Sequence, residues 1–225
     1  ISKQANVQAK KIEYKDFKSS YTLVYDNYEL GKINLKVMGK HNVLNSLLAV
    51  ATGIELNIPF EKIKAGLSRY KGVFRRFEYK GKYNNIEIYD DYAHHPTEIE
   101  ATLTGVRRST DKRIVAVFQP HLYSRTQDFY NEFGKSFFQS DILVVVPIYP
   151  AREKPIKGVT GKLIADAAIQ SGHRDVHYID NNKKIISEIK KIVKPNDIVI
   201  TIGAGNIYKS GEKLIKIMKT NCEMA

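Results

Sequence analysis

The spacing of apolar positions changes several times along the chain, and each change marks an element. Tyr21 to Tyr25 and Lys32 to Val37 are apolar, β-branched or alternating, and a polar turn at Asp26-Asn27 separates them. That pattern predicts two short strands. From Asn42 the period becomes helical, with Val43, Leu44, Leu47, Leu48, Val50 and Ala51 at the spacing of one buried face. Pro59 opens a second predicted helix with Ile63, Leu67 and Ala65 inward, ending near Tyr70 and Gly72. Phe77 to Tyr83 and Ile86 to Tyr89 flank Asn84-Asn85, a hairpin signal because asparagine tolerates the left-handed backbone of a tight turn.

Beyond the hairpin the chain alternates. Helical patterns at Pro96 to Arg108, Ser124 to Phe138, Gly161 to Gln170 and Lys183 to Val193 are each followed by a short apolar run. Those runs are Ile114 to Phe118, Ile142 to Ile148, Val176 to Ile179 and Ile198 to Ile202, and a last helix starts near Asn206. Repeated strand–helix units predict an α/β fold, a mostly parallel sheet with helices on both faces. Residues 74–225 are enough for one whole domain of this kind. Residues 1–73 look strand-poor and too small to be another, so they read as the tail end of a preceding domain, with Lys71 to Arg76 as the link.

Composition narrows the class. Hydrophobic residues make up 43% and charged residues 27%, which excludes a disordered or collagen-like chain. The longest apolar run, Ile142 to Val146, stops at Pro147, far short of the roughly 18 residues of a membrane span. One cysteine, Cys222, rules out an internal disulfide or a multi-cysteine zinc site and fits a reducing, cytoplasmic location. The net charge of +12 is spread along the chain and forms no basic block, so it reads as a lysine-rich solvated surface. The chain opens Ile-Ser-Lys-Gln, without a signal pattern, and reads as a fragment or a processed piece.

In an open parallel sheet, ligands bind beyond the carboxyl ends of the strands. The segments that follow the predicted strands are rich in chemistry: Asp90-Asp91-Tyr92-Ala93-His94-His95, Gln119-Pro120-His121-Leu122-Tyr123-Ser124-Arg125, Tyr149 to Pro155, and Gly203-Ala204-Gly205-Asn206. Some of these residues have plain readings. Asp90, Asp91 and Thr97 suit turns and caps, Ser124 suits an N-cap, and Arg75-Arg76 suits either a solvated pair or a phosphate or carboxylate partner. Two adjacent histidines are harder to explain so, and Asp90, Asp91, His94 and His95 leave an Asp/His metal hydrolase open. A basic nucleic-acid-binding module is the other alternative, although no nucleic-acid motif is present. Gly203-Ala204-Gly205 is followed by Tyr208 where a dinucleotide fingerprint needs glycine, and Gly158 to Lys162 lacks the first glycine and the hydroxyl of a phosphate loop.

Taken in order, GKHNVLNSLLA (Gly39 to Ala49), GVFRRFE (Gly72 to Glu78), DDYAHHPTEI (Asp90 to Ile99), FQPHLYSRT (Phe118 to Thr126), YPARE (Tyr149 to Glu153) and GAGNIY (Gly203 to Tyr208) resemble the Mur ligases. The resemblance implies the last part of that family's central ATPase domain over 1–73 and its Rossmann-like C-terminal domain over 74–225. It implies ATP-dependent joining of L-alanine to UDP-N-acetylmuramic acid through an acyl phosphate, with Mg2+ as cofactor in the full-length enzyme, and neither nucleic acid nor membrane as a partner. It also implies roles for single residues. Arg76 and His94 would be catalytic, and His41, Asn42, Asn45, Arg76 and Asp91 would face the nucleotide. Tyr92, His94, His121 and Arg125 would bind the amino acid, and no residue of the chain would bind a metal. A phosphate loop and a UDP-binding domain are missing from the 225 residues, so the chain by itself is expected to be inert.

Overall fold

A computed structural model of the chain describes residues 5–223. Two compact units divide them, one ending at Gly72 and including Arg108–Thr110, the other formed by Val73–Arg107 and Asp111 onward.

In the first unit, strands β1 (Val7–Lys15), β2 (Lys18–Tyr25) and β3 (Tyr28–Leu35) form an antiparallel sheet in that order. Asp26 and Asn27 both hold positive φ and close the β2–β3 hairpin as a left-handed turn. Helices α1 (Lys40–Glu55) and α2 (Phe60–Arg69) cover one face, where Val43, Leu47, Val50 and Ile63 meet Tyr21, Leu23, Ile33 and Leu35. Three expectations need correction. The unit is not strand-poor: β1 escapes the hydrophobic pattern because Ala9 alone of its residues is fully buried and three of its nine are lysine. Leu44 and Leu48 do not share the buried face of α1, being 37% and 69% exposed. They lie instead along an open apolar groove with Val7, Tyr25, Ala51 and Ile54. Ala65 is exposed, not inward, since the short α2 buries only one stripe, centred on Ile63.

The second unit is a six-stranded sheet in the order β4-β5-β9-β6-β7-β8. Its strands are β4 (Glu78–Tyr83), β5 (Ile86–Asp91), β6 (Ile114–Phe118), β7 (Ile142–Val145), β8 (Val176–Tyr178) and β9 (Ile198–Ile202). All neighbouring pairs are parallel except the β4–β5 hairpin, which turns on Asn84 and Asn85 at positive φ. The helices are α3 (Pro96–Ser109), α4 (Tyr123–Ser136), α5 (Lys162–Gln170), α6 (Ile185–Ile192) and α7 (Tyr208–Glu223). Side chains alternate across a strand, so each strand feeds two cores. Val115, Val117, Val144 and Val199 pack with Ile185 and Ile189 of α6 and Leu214 and Ile215 of α7. On the other face Phe118 meets Phe133 and Phe137 at α4 and its C-terminus. Strands buried on both faces read as continuous apolar runs, which is why β6 and β9 are visible in the sequence to the residue.

Candidate functional site

Strands β5, β9, β6 and β7 are neighbours and parallel, so the segments leaving their carboxyl ends stand side by side. Bonds between successive segments join them into one rim. Gly203 N–H donates to Asp91 O at 3.0 Å, and Gln119 N–H donates to Ile202 O at 2.9 Å. Tyr149 N–H donates to Pro120 O at 2.8 Å, and Leu122 N–H returns to Tyr149 O at 3.0 Å. The Gln119 side chain bridges the middle: its Oε1 accepts from Ile207 N–H at 3.1 Å and its Nε2 donates to Asn206 Oδ1 at 3.2 Å. Gly205 makes this bridge possible, because a Cβ there would stand 2.7 Å from the Tyr149 ring and still nearer to Gln119 Oε1.

At the β5 end the two adjacent arginines part company. Arg75 is 7% exposed and turned inward. Its Nε donates to Asp90 Oδ2 at 2.9 Å, Nη2 to Gly203 O at 2.5 Å and Nη1 to Gly205 O at 3.1 Å. Its guanidinium carbon lies 4.9 Å from the Tyr92 ring centre and 4.6 Å from that of Tyr208. Asp90 is fully buried, and its other oxygen accepts from Thr201 Oγ1 at 2.6 Å. Burial pushes the Asp90 carboxyl up, against the pull of Thr201 and Arg75. Arg76, flanked by left-handed Arg75 and Phe77, has a side chain 54% exposed. It reaches over Tyr92 at 5.7 Å and stops 4.0 Å from Glu98 Oε1.

Asp91 is a buried turn-former whose Oδ1 accepts from Ala93 N–H at 2.8 Å and whose Oδ2 accepts from Phe77 N–H at 2.9 Å. Burial raises its pKa to about 6 in spite of those donors. A second lone pair remains on each oxygen. His95 is the cap of α3: its Nδ1 faces Thr97 N–H at 3.4 Å, while Glu98 Oε2 reaches back to His95 N–H at 3.2 Å. Glu98 also accepts from His94 N–H at 3.0 Å and lies 3.4 Å from His94 Nδ1. So Asp90, Asp91 and His95 each have partners within the protein, an arrangement that lends no support to an Asp/His metal hydrolase. No three His, Cys, Asp or Glu side chains converge among the described residues.

The residues expected around an amino acid do come together. The rings of Tyr92 and His94 are 5.3 Å apart, His94 and His121 are 6.0 Å apart, and His121 stacks on Tyr149 at 5.8 Å. Arg125, in the first turn of α4, points its Nη1 at His94 O at 3.5 Å. Burial, then the charges of Arg125 and His94, hold the His121 pKa below its ordinary value, so the ring is neutral at pH 7. Its Nδ1 is the one buried side-chain nitrogen or oxygen without a partner among the described residues. His41, Asn42 and Asn45 lie in the first unit, at the start of α1. Asn42 Nδ2 donates to Met38 O at 2.7 Å, and the Asn45 and His41 side chains are exposed.

Sequence reasoning gave no role to Glu98, Gln119 or Glu153. Glu98 was findable, since it stands three residues after the N-cap, the capping-box spacing. Glu153 was not, because its partner Ser124 is 29 residues away. Ser124 is not the N-cap expected of it; Leu122 holds that position and Ser124 lies inside the helix.

A model of the Mur ligase glutamate ligase domain matches residues 75–205, more than half of the chain. The chain belongs to the Mur ligase family. A model of the Mur ligase middle domain matches residues 1–53. Of the site residues, Arg76, Asp91, Tyr92, His94, His121 and Arg125 fall in the first match, and His41, Asn42 and Asn45 in the second. The UDP-N-acetylmuramate–L-alanine ligase of Geotalea uraniireducens is 45% identical over 97% of the chain and 48% of the relative. That of Salinibacter ruber is 45% identical over 98% and 46%. The chain thus spans about half the length of the curated relatives it matches. Among solved structures, the UDP-N-acetylmuramate-alanine ligase of Thermotoga maritima shares the fold with a TM-score of 0.81 at 24% identity, over 98% of this chain and 47% of that one. A murein peptide ligase from Psychrobacter arcticus does so with a TM-score of 0.63 at 23% identity, over 97% and 45%. Among the described residues of this Mur ligase chain, no helix is long and apolar enough to cross a membrane.

Proposed function

We propose that this chain is the amino-acid-receiving part of an ATP-dependent ligase of peptidoglycan precursor synthesis, which joins L-alanine to the lactyl carboxylate of UDP-N-acetylmuramic acid. The observation that carries the reading is the convergence of Tyr92, His94, His121 and Arg125 at the sheet's carboxyl edge. The names of relatives at 45% identity supply the substrate class.

A carboxylate is a poor electrophile, and ATP supplies the missing leaving group by phosphorylating it. The amine nitrogen of alanine then attacks the acyl carbon, the carbon–nitrogen bond forms, and the bond to the phosphate oxygen breaks. The amine must attack in its neutral form. Arg125 offers a planar fork to the alanine carboxylate. Neutral His121 and Tyr92 enclose the methyl group without adding a charge that would favour the ammonium form. Arg76, exposed and charged, is assigned to the phosphate, and His94, beside Tyr92 and Glu98, is assigned a catalytic role with it. Asp91, with His41, Asn42 and Asn45, is assigned to the adenosine. Residues 1–73 and 74–225 are assigned to the end of the central domain and to the C-terminal domain of the ligase. A phosphate loop normally holds the transferring phosphate in line, and the 225 residues have none, so the chain alone should not turn over.

The test is a hybrid in which this chain replaces the matching half of the Geotalea uraniireducens relative. The expected result is phosphate release that depends on both L-alanine and UDP-N-acetylmuramic acid. A folded but inert hybrid would sink the reading, provided the same join made with the Salinibacter ruber half is active. So would alanine-dependent phosphate release by the chain alone.

A further inference from the structure

Helix α4 begins in a way its own sequence does not support. The first four N–H groups of a helix need acceptors from outside it. Leu122, at the N-cap, has no side-chain acceptor and sits at φ 75, a conformation leucine avoids. The acceptor arrives from the segment after β7. Glu153 Oε2 accepts from Ser124 N–H at 3.0 Å, and Glu153 Oε1 accepts from Ser124 Oγ at 2.5 Å. The Ser124 hydroxyl, the Ser124 N–H and the Tyr123 N–H together hold the Glu153 carboxyl below the usual range, so it is ionised at the positive end of the helix. A turn closed by Glu153 N–H to Pro150 O at 2.9 Å, with Ala151 at φ 52, presents the side chain. The His121–Tyr149 bridge and ring stack fix the same two segments from their other end.

Two consequences bear on ligand recognition. Arg125 follows Ser124 directly, so the tie that fixes the first turn of α4 also fixes where the Arg125 fork stands. The helix end, otherwise an attractive site for any carboxylate, is already filled by one. We propose that Glu153 is a positioning residue of the amino-acid pocket: it caps α4 from a distant loop, seats Arg125, and leaves that guanidinium as the acceptor of the substrate carboxylate. Glu153 touches no substrate itself. The inference rests on the ligase reading above and adds to it the residue that sets the pocket's geometry.

The experiment has two arms. In the chain as it stands, amide hydrogen exchange is followed for Glu153→Ala. The amides of Tyr123 and Ser124 should exchange about tenfold faster, with those of β9 unchanged. Unchanged exchange at Tyr123 and Ser124 overturns the proposal whatever the protein does. In the active hybrid, Glu153→Ala should raise the KM for L-alanine about tenfold, with kcat at saturating alanine and the KM for ATP within about twofold. Glu153→Gln keeps one oxygen acceptor and should recover part of the loss; Ser124→Ala should give a smaller rise. A fall in kcat or a weakened KM for ATP, with the alanine KM unmoved, overturns the proposal and leaves the ligase reading intact. An inert unmodified hybrid ends both.

Discussion

Arg75 and Arg76 are adjacent, identical in type and flanked by the same motif, yet they do opposite things. Arg75 is spent inside the protein on Asp90, on two carbonyls of the Gly203–Gly205 turn and between two tyrosine rings. Arg76 stops 4.0 Å from Glu98, acts on Asp91 only through its charge, and has a side chain more than half exposed. The backbone makes the separation: Arg75 and Phe77 both take left-handed φ, and Tyr92 N–H donates to Arg75 O at 2.7 Å. One residue's charge holds the rim together, while the next residue's charge is left largely in solvent. Charge, then, says little about role until its desolvation is known.

The first way to break the comparison is to remove the inner arginine. Arg75→Ala leaves Asp90 buried without its counter-charge and two carbonyls without donors, and should cost about 3–5 kcal/mol in urea unfolding. Asp90→Ala should cost a similar amount for the mirror reason. The double variant should lose clearly less than the sum of the two, because each single change includes the penalty of stranding the other partner. Additive losses would mean that the pair is not coupled and that Arg75 acts through its tyrosine contacts.

The second concerns the next buried carboxylate. The Asp91 pKa lies near 6 in the folded chain against 3.8 for an unhindered aspartate, a difference of about 3 kcal/mol in proton affinity. A raised carboxylate pKa makes the folded state the better proton binder. Ionised Asp91 therefore costs nothing below about pH 4, and the cost grows until the pH passes about 6. Asp91→Asn should remove that drift, so that wild type loses stability relative to the variant between pH 4 and 6.5. Parallel stability curves over this window would show that the two backbone donors hold the carboxylate ionised throughout.

Much of the second unit is legible in the sequence because its strands are buried on both faces. Ile114–Phe118 is an unbroken apolar run, and Ile198–Ile202 is interrupted only by Thr201. The convergence of the polar loops was legible too, since a parallel sheet sends them to one edge. Strand β1 was not: a bulged edge strand with positive φ at Lys11 and a mostly wet face carries too little hydrophobic signal. Residue type alone could not tell Arg75 from Arg76, which only the family resemblance separated, nor could it join Glu153 to Ser124. Those assignments depend on a burial gradient one residue wide and on a contact between separate loops.

A third change probes the rim from the far side of Arg75. Gly205→Ala would drive a methyl group into Gln119 and Tyr149, the groups that join the β9, β6 and β7 segments. Overpacking of that kind should cost about 1–3 kcal/mol and shift the Tyr149 and His121 ring resonances. A neutral result would mean that the Gln119 bridge yields easily and that the rim is looser than the Arg75 contacts imply.

The smallest expected effect sharpens the contrast most. Arg76→Ala removes a side chain whose nearest carboxylate, Glu98, is 4.0 Å away and whose surroundings are largely water. Exposed pairs at such distances contribute little, because solvent screens the attraction and ordering two long side chains offsets it. Stability should change by no more than about 0.5 kcal/mol. In the hybrid ligase the same change should lower turnover at saturating ATP by about a hundredfold, the usual cost of losing one donor to developing phosphate charge. The two results have to be read together. A stable, slow variant assigns Arg76 to the reaction and Arg75 to the scaffold that presents it. An unstable variant would make both arginines structural, and a stable variant with full turnover would leave Arg76 a solvated residue with no part in the chemistry.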